Sequence, residues 1–237
     1  MSARDDILHR LSFGSAPAPD PAALDALFAT IEPAAAQDPV ALLLERAREH
    51  GCEAARVPDT AAAALWITDF LTRHNCATVA AAPSTPEPVM AALQTRVSGA
   101  DGSVLLKLPE TGADAEARRA QKVLLETCDA GLTGALAGFA MEGGVALRSS
   151  ANESRAVSLL TRAHVAIVRT ASVYPSLAAW SASLSNVVQG GDGSAVTLVT
   201  GPSKTADIEK VLVTGVHGPK IFAILVLDEG LEPDAQR

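Results

Sequence analysis

The chain predicts an α/β fold, a mostly parallel sheet flanked by helices, and three observations carry that expectation. Between residues 38 and 82, helical and strand-like stretches alternate as helix, strand, helix, strand, the rhythm of a parallel sheet covered on both faces. Residues 196–219 read as strand, glycine turn, helix and turn, and the apolar run at 221–227 suits a buried strand. The composition, 48% hydrophobic but 3% aromatic, is ample for a core built from alanine and aliphatic side chains.

Taken in order, residues 2–12 hold a short amphipathic stretch with Ile7, Leu8 and Leu11, and residues 14–21 carry three prolines and read as a linker. Leu24, Leu27, Phe28 and Ile31 indicate a second short helix ending near Pro33. Residues 1–35 are thus expected to be a helical N-terminal segment with its linker, followed by the main domain over 36–228 and a tail over 229–237. Asp38-Pro39 starts a helix with Val40, Leu43, Leu44 and Ala47 inward and Gly51 as its stop. A strand follows at 53–57. Asp59 or Thr60 then caps a helix carrying Leu65, Trp66, Phe70 and Leu71, and a second strand spans 77–82. Ser84 to Pro88 opens a helix through Leu93, a strand covers 104–108, and Thr111 to Asp114 resembles a capping box before a charged helix to Glu126. The polar face of that helix (Glu116, Arg118, Arg119, Lys122) reads as a solvated surface.

Gly131, Gly134, Gly138, Gly143 and Gly144 change the texture, indicating sheet with tight turns or a close approach of backbone to a ligand. A strand is expected at 164–168, a helix capped by Ser176 with Leu177, Trp180 and Leu184, and a loop at 190–193. After the strand at 196–200, Ser203 or Thr205 can cap a helix whose apolar face is Ile208, Val211 and Leu212. That arrangement would set Ser203, Lys204, Thr205 and Asp207 at a helix N-terminus, where free N–H groups favour an anion. An ordinary capped helix with an exposed lysine is the plain alternative.

Net charge of −8 without a basic cluster argues against a nucleic-acid partner. No apolar run approaches a membrane span, and Asp5 and Asp6 with no hydrophobic h-region argue against a secretory signal, so a cytoplasmic protein is expected. Cys52, Cys76 and Cys128 are dispersed, without C-x-x-C or iron–sulfur spacing, and read as reduced thiols. Neither a P-loop nor a G-x-G-x-x-G turn is present, and the five histidines show no metal spacing, so no metal and no cofactor is expected on this chain. His164 reads as a structural strand histidine, and Arg155 as either a carboxylate clamp or a surface ion pair.

The run from Gly201 to Glu209, with Gly215-Val-His-Gly-Pro219, resembles the C-terminal signature of the LUD (lactate-utilisation) domain, and within it the short C subunit of the three-subunit L-lactate utilisation system. Gly131-Leu-Thr-Gly134, Glu142-Gly-Gly144 and Val157-Ser-Leu-Leu160 leading to 164–168 extend the likeness over roughly 36–228. The resemblance implies a fold like the ribose-5-phosphate isomerase and CoA-transferase group and a role in oxidising L-lactate to pyruvate. The expected partners are iron–sulfur subunits, which would carry the clusters, and a small anionic metabolite. It also implies a ligand site at Gly201, Ser203, Lys204, Thr205, Asp207 and His217, and a base or nucleophile at Glu142. The family usually shows Glu-Thr-Gly where this chain has Glu142-Gly143-Gly144, and a surface glutamate in a hairpin turn is the plain alternative. The sequence thus leads to an accessory, non-cluster component of a lactate-oxidising complex. The alternative is a stand-alone enzyme or binding protein for an acyl or phosphorylated anion.

Overall fold

A computed structural model of the chain describes residues 38–97, 104–109, 114–150, 153–180, 193–206, 212–214 and 218–228; for residues 97, 193, 194, 204–206 and 212–214 only the backbone is described. The expected N-terminal segment over 1–35, the tail over 229–237, the loop at 190–192 and Leu184 lie outside these residues.

Helix α1 (Pro39–Glu49) starts because the Asp38 carboxylate accepts the N–H groups of Val40 and Ala41, at 3.0 and 3.1 Å, with proline in the first turn. It buries Val40, Leu43, Leu44 and Ala47 and turns at Gly51, whose φ is +90°. Strand β1 (Glu53–Val57) leads to α2 (Thr60–Arg73), capped by Asp59, which accepts the Ala62 N–H at 2.7 Å. The buried side of α2 is Ala63, Ala64, Ile67, Phe70 and Leu71. Leu65, expected inward, is exposed, because the alanines take the positions nearest the sheet. After β2 (Thr78–Ala81), helix α3 (Glu87–Val97) begins three residues beyond Ser84, which has other partners. Strand β3 (Val104–Lys107) and helix α4 (Ala115–Glu126) follow. Asp114 caps α4 directly, accepting from Glu116 and Ala117, rather than closing a capping box from the third helical position.

The glycine-rich stretch forms β4 (Ala130–Gly134), β5 (Ala137–Phe139) and β6 (Gly144–Ser150). The remaining elements are α5 (Ala156–Leu160), β7 (Ala163–Arg169), β8 (Val173–Tyr174), β9 (Gly193–Val199), β10 (Lys204–Ala206), β11 (Leu212–Thr214) and β12 (Ile221–Leu227). A helical turn at 177–180 begins at Ser176, whose Oγ accepts the Ala179 N–H.

Six strands form one all-parallel sheet in the order β1–β12–β7–β4–β2–β3. In its centre, Ala163 of β7 lies in register with Ala130 of β4 on one side and Ile221 of β12 on the other. One face packs Ile67 and Phe70 of α2 and Met90 of α3 on Val79, Leu132 and Ile167. The opposite face meets α1 through Ala166, Val168 and Ile224. A second sheet, β8–β5–β6–β9, lies beside α1; a side chain at Gly138 would put its Cβ 2.9 Å from Leu43, so glycine permits this approach. With no aromatic-rich core available, density comes from aliphatic and alanine packing around Phe70, Phe139 and Phe222.

One expected element is a different structure. Residues 204–206 and 212–214 form an antiparallel pair, with Lys204 opposite Thr214, so no helix starts at Ser203 or Thr205. The local capping signal loses to long-range pairing: Ser203 donates its N–H to Pro219 O at 2.9 Å, and Thr205, Val213 and Thr214 favour an extended backbone. Among the described residues, no helix is long and apolar enough to cross a membrane.

Candidate functional site

The parallel sheet has a point where its connections diverge: the chain leaves β2 toward the edge strand β3, but leaves β4 toward β7. Open α/β sheets bind ligands outside the carboxyl ends of strands at such a point. Here it is occupied by a polar knot. Ser84 donates its hydroxyl to Glu153 Oε1 at 2.6 Å and its N–H to Oε2 at 2.9 Å, while its Oγ accepts the Gly134 N–H at 3.0 Å. A Cβ on Gly134 would lie 2.1 Å from Ser84 O, so only glycine fits there. Burial pushes the Glu153 carboxyl above its ordinary range, opposed by the Ser84 hydrogen bonds and the nearby Arg148. A carboxyl of raised pKa bonded to an exposed hydroxyl is a proton-accepting arrangement. Sequence reasoning does not find it: Ser84 reads as a helix opener, and in Asn152-Glu-Ser-Arg155 only Arg155 carries a signal. Arg155 is exposed and makes no ion pair among the described residues.

Glu142 stands in the turn between β5 and β6. Its Oε1 accepts the Leu177 N–H at 3.0 Å; Oε2 is buried and has no hydrogen-bond partner among the described residues. The next residue explains the departure from Glu-Thr-Gly. Gly143 has φ +61°, and a Cβ there would stand 2.6 Å from Arg46 Cβ and 2.7 Å from the Arg46 carbonyl carbon. In this chain a threonine at 143 would have to displace α1.

The turn after β9 leans on the same helix end. A Cβ on Gly144 would meet Val199 O at 2.7 Å, and one on Gly201 would meet His50 O at 3.2 Å. The Glu142 turn and the 200–203 turn therefore converge on the last turns of α1, from Arg46 to His50. Gly218 packs on Ser203: a Cβ there would stand 3.2 Å from Ser203 Cβ, and this contact joins the two halves of the C-terminal motif. The backbone of Lys204 and Thr205 continues from there as β10; Asp207 and His217 lie outside the described residues.

His164 is fully buried in β7, with its Nε2 2.9 Å from Thr133 Oγ1 and its ring 5.3 Å from that of Phe222. Burial lowers its pKa to about 3, and it is a core histidine, as its strand position predicts. The three cysteines are buried and free. Cys52 faces Thr200 O, Cys76 faces His74 O and Cys128 faces Leu124 O. Burial pushes the thiols of Cys76 and Cys128 up, away from the thiolate that a metal or cluster needs. Among the described residues, no group of His, Cys, Asp and Glu could hold a metal ion.

Comparison with known proteins gives a consistent relation. A family model described as the LUD domain matches residues 40–227. The chain is 34% identical to "Lactate utilization protein C" of Bacillus licheniformis, over 68% of this chain and 71% of that protein. It is 31% identical to a protein of the same name from Oceanobacillus iheyensis, over 48% of this chain and 50% of that protein. An "Uncharacterized protein YkgG" from Escherichia coli K12 is 35% identical over 44% of this chain and 46% of that protein. With the last two, the matched stretch spans about half the relative's length. A crystal structure of a DUF162 family protein from Deinococcus radiodurans superposes with a TM-score of 0.56, covering 80% of this chain and 96% of that one at 19% identity, which is a likeness of fold.

Proposed function

The chain belongs to the LUD domain family, and on that premise we propose that it is an accessory, non-cluster component of a lactate-utilisation system that oxidises L-lactate to pyruvate. The observation that carries this reading is the 34% identity, over 68% of the chain, to a relative named for lactate utilisation. Oxidising lactate releases two electrons and two protons, so an acceptor is required. The cysteines of this chain do not fit an iron–sulfur cluster, which takes four thiolate ligands: there are three, each buried against a different backbone carbonyl. The reading therefore assigns the clusters to partner subunits. This chain's share is binding and orientation, with a small anionic metabolite held by Gly201, Ser203, Lys204, Thr205, Asp207 and His217 near Glu142. The test is an anaerobic pull-down of the tagged chain from its own cells grown on lactate. Co-purification of an iron–sulfur protein supports the proposal; recovery of the chain alone, from cells that oxidise lactate, contradicts it.

A second reading is favoured by one specific observation, the buried Oε2 of Glu142, without a hydrogen-bond partner among the described residues, beside the turn that leads to Lys204. It makes the chain a stand-alone enzyme or binding protein for an acyl or phosphorylated anion, with Glu142 as base or nucleophile. Under this reading Glu142→Gln and Lys204→Ala abolish turnover or binding of acetyl phosphate by the isolated chain. Under the first reading the isolated chain does not turn over acetyl phosphate at all.

A further inference from the structure

The polar knot of Ser84, Gly134 and Glu153 belongs to neither reading above, and both of its halves are fixed by further hydrogen bonds. Thr85, buried beside Ser84, donates its hydroxyl to Leu132 O of β4 at 3.0 Å and its N–H to Ala82 O at 3.0 Å. Glu153 is tied to the end of β6: its N–H donates to Ser150 Oγ at 3.1 Å, and its carbonyl accepts the Ser150 N–H at 3.0 Å. The Ser84 hydroxyl is thus held against the Glu153 carboxylate by the scaffold on both sides. Ser84 itself is exposed.

Three features of this hydroxyl suit a nucleophile. Its proton already points at Glu153 Oε1, 2.6 Å away, the distance a general base requires. The Gly134 N–H, 3.0 Å from Oγ, favours the negative charge that develops there on attack, an approach open only because residue 134 has no Cβ. With its proton donated and one lone pair engaged, Oγ keeps a second lone pair for an incoming carbon. We propose that Ser84 is the nucleophile and Glu153 its general base in an acyl-transfer site at the carboxyl ends of β2 and β4. Burial strengthens the base, while the nearby Arg148 of β6 and the Ser84 hydrogen bonds act in the opposite sense. Ser84 Oγ bonds to the acyl carbon, its proton passes to Glu153, and Glu153 hands it to the departing oxygen or sulfur as that bond breaks. Glu153 then takes a proton from water, which attacks the acyl-serine, and the proton returns to Oγ as the acid leaves. The carboxylate beside Oγ repels a dianionic phosphoryl group, so the substrate class is an uncharged ester or thioester rather than an acyl phosphate.

The test is labelling of the full chain with an uncharged fluorophosphonate, the adduct being mapped by peptide mass spectrometry. Ser84 Oγ bonds to phosphorus, fluoride leaves, and the proton passes to Glu153. Ser84 should be labelled about 100-fold faster in the native protein than in urea, a comparison that needs no variant. Glu153→Gln keeps the size of the side chain and an acceptor oxygen, and should slow native labelling about 100-fold with the circular dichroism spectrum unchanged. The native rate should fall in acid as Glu153 takes up a proton, with a midpoint above 4.5, which a carboxylate that merely anchors the loop would not impose. The native chain should also release p-nitrophenolate from p-nitrophenyl acetate about tenfold faster than Ser84→Ala or the labelled chain. Native labelling no faster than in urea overturns the proposal. Glu153→Gln labelled as fast as the wild type, or ester cleavage equal in wild type and Ser84→Ala, overturns it equally.

Discussion

His164 makes the stability of this protein depend on pH in a way that can be worked out. In the unfolded chain it titrates at 6.5, whereas full burial lowers its pKa to about 3 in the native state. Between those values the unfolded state binds a proton that the native state does not, so stability is complete above pH 6.5 and falls as the pH drops toward 3. The slope is about 1.4 kcal/mol per pH unit. From pH 7 to pH 5 the histidine crosses about 1.5 units, a loss of about 2 kcal/mol, and the whole interval of about 3.5 units is worth about 5 kcal/mol. His164→Phe keeps a ring beside Phe222 and removes the titration, at the cost of about 1 kcal/mol for leaving Thr133 Oγ1 without its partner. Urea unfolding of both proteins at pH 7, 6 and 5 isolates the effect, because the carboxylates titrate alike in each. The wild type should lose about 2 kcal/mol more than the variant between pH 7 and 5. Parallel curves would show that the native imidazole holds a proton after all, and the burial argument would fail.

Other consequences are open to measurement. Asp38→Ala and Asp59→Ala each remove a side-chain cap and should cost about 1 kcal/mol, nearly additively, in urea unfolding. Gly143→Thr combines a left-handed backbone with a collision against α1 and should cost about 3 kcal/mol; a stable, fully active variant would refute the reason given for that glycine. Cys76 and Cys128 should react with a thiol reagent at pH 8 many-fold more slowly in the native protein than in urea, since burial raises both pKa values and covers the sulfur atoms. In a double-mutant cycle, Ser84→Ala and Glu153→Gln should couple by about 1–2 kcal/mol, whereas independent costs would show that the knot at the β2 and β4 ends is not cooperative.

Much of the fold is legible in the sequence because its signals are local. Asp38 and Asp59 cap the expected helices, 53–57 is a strand with the expected bounds, and the apolar run at 221–227 is the buried β12. The hairpin of β10 and β11 is not legible, because Ile208, Val211 and Leu212 satisfy a helical period while the partner that extends the backbone lies across the pair. Of the second sheet, the sequence shows the strand at 196–200 and glycine-rich turns, but not its close approach to α1, which depends on Leu43, nearly a hundred residues from Gly138. The site divides in the same way. Glu142 stands out by its glycine neighbours, and the structure adds Leu177 on one oxygen and nothing described on the other. Ser84 and Glu153 are ordinary residues in sequence: Ser84 follows β2, Glu153 stands between β6 and α5, and only the folded chain brings them together. No periodicity or motif spans such a distance.

The proposed role in lactate oxidation is tested most directly by lactate-dependent dye reduction, measured anaerobically on the assembled system with this chain present and with it omitted. The account predicts activity that disappears without the chain and returns when it is added back. Dye reduction that proceeds equally well in its absence would contradict that role.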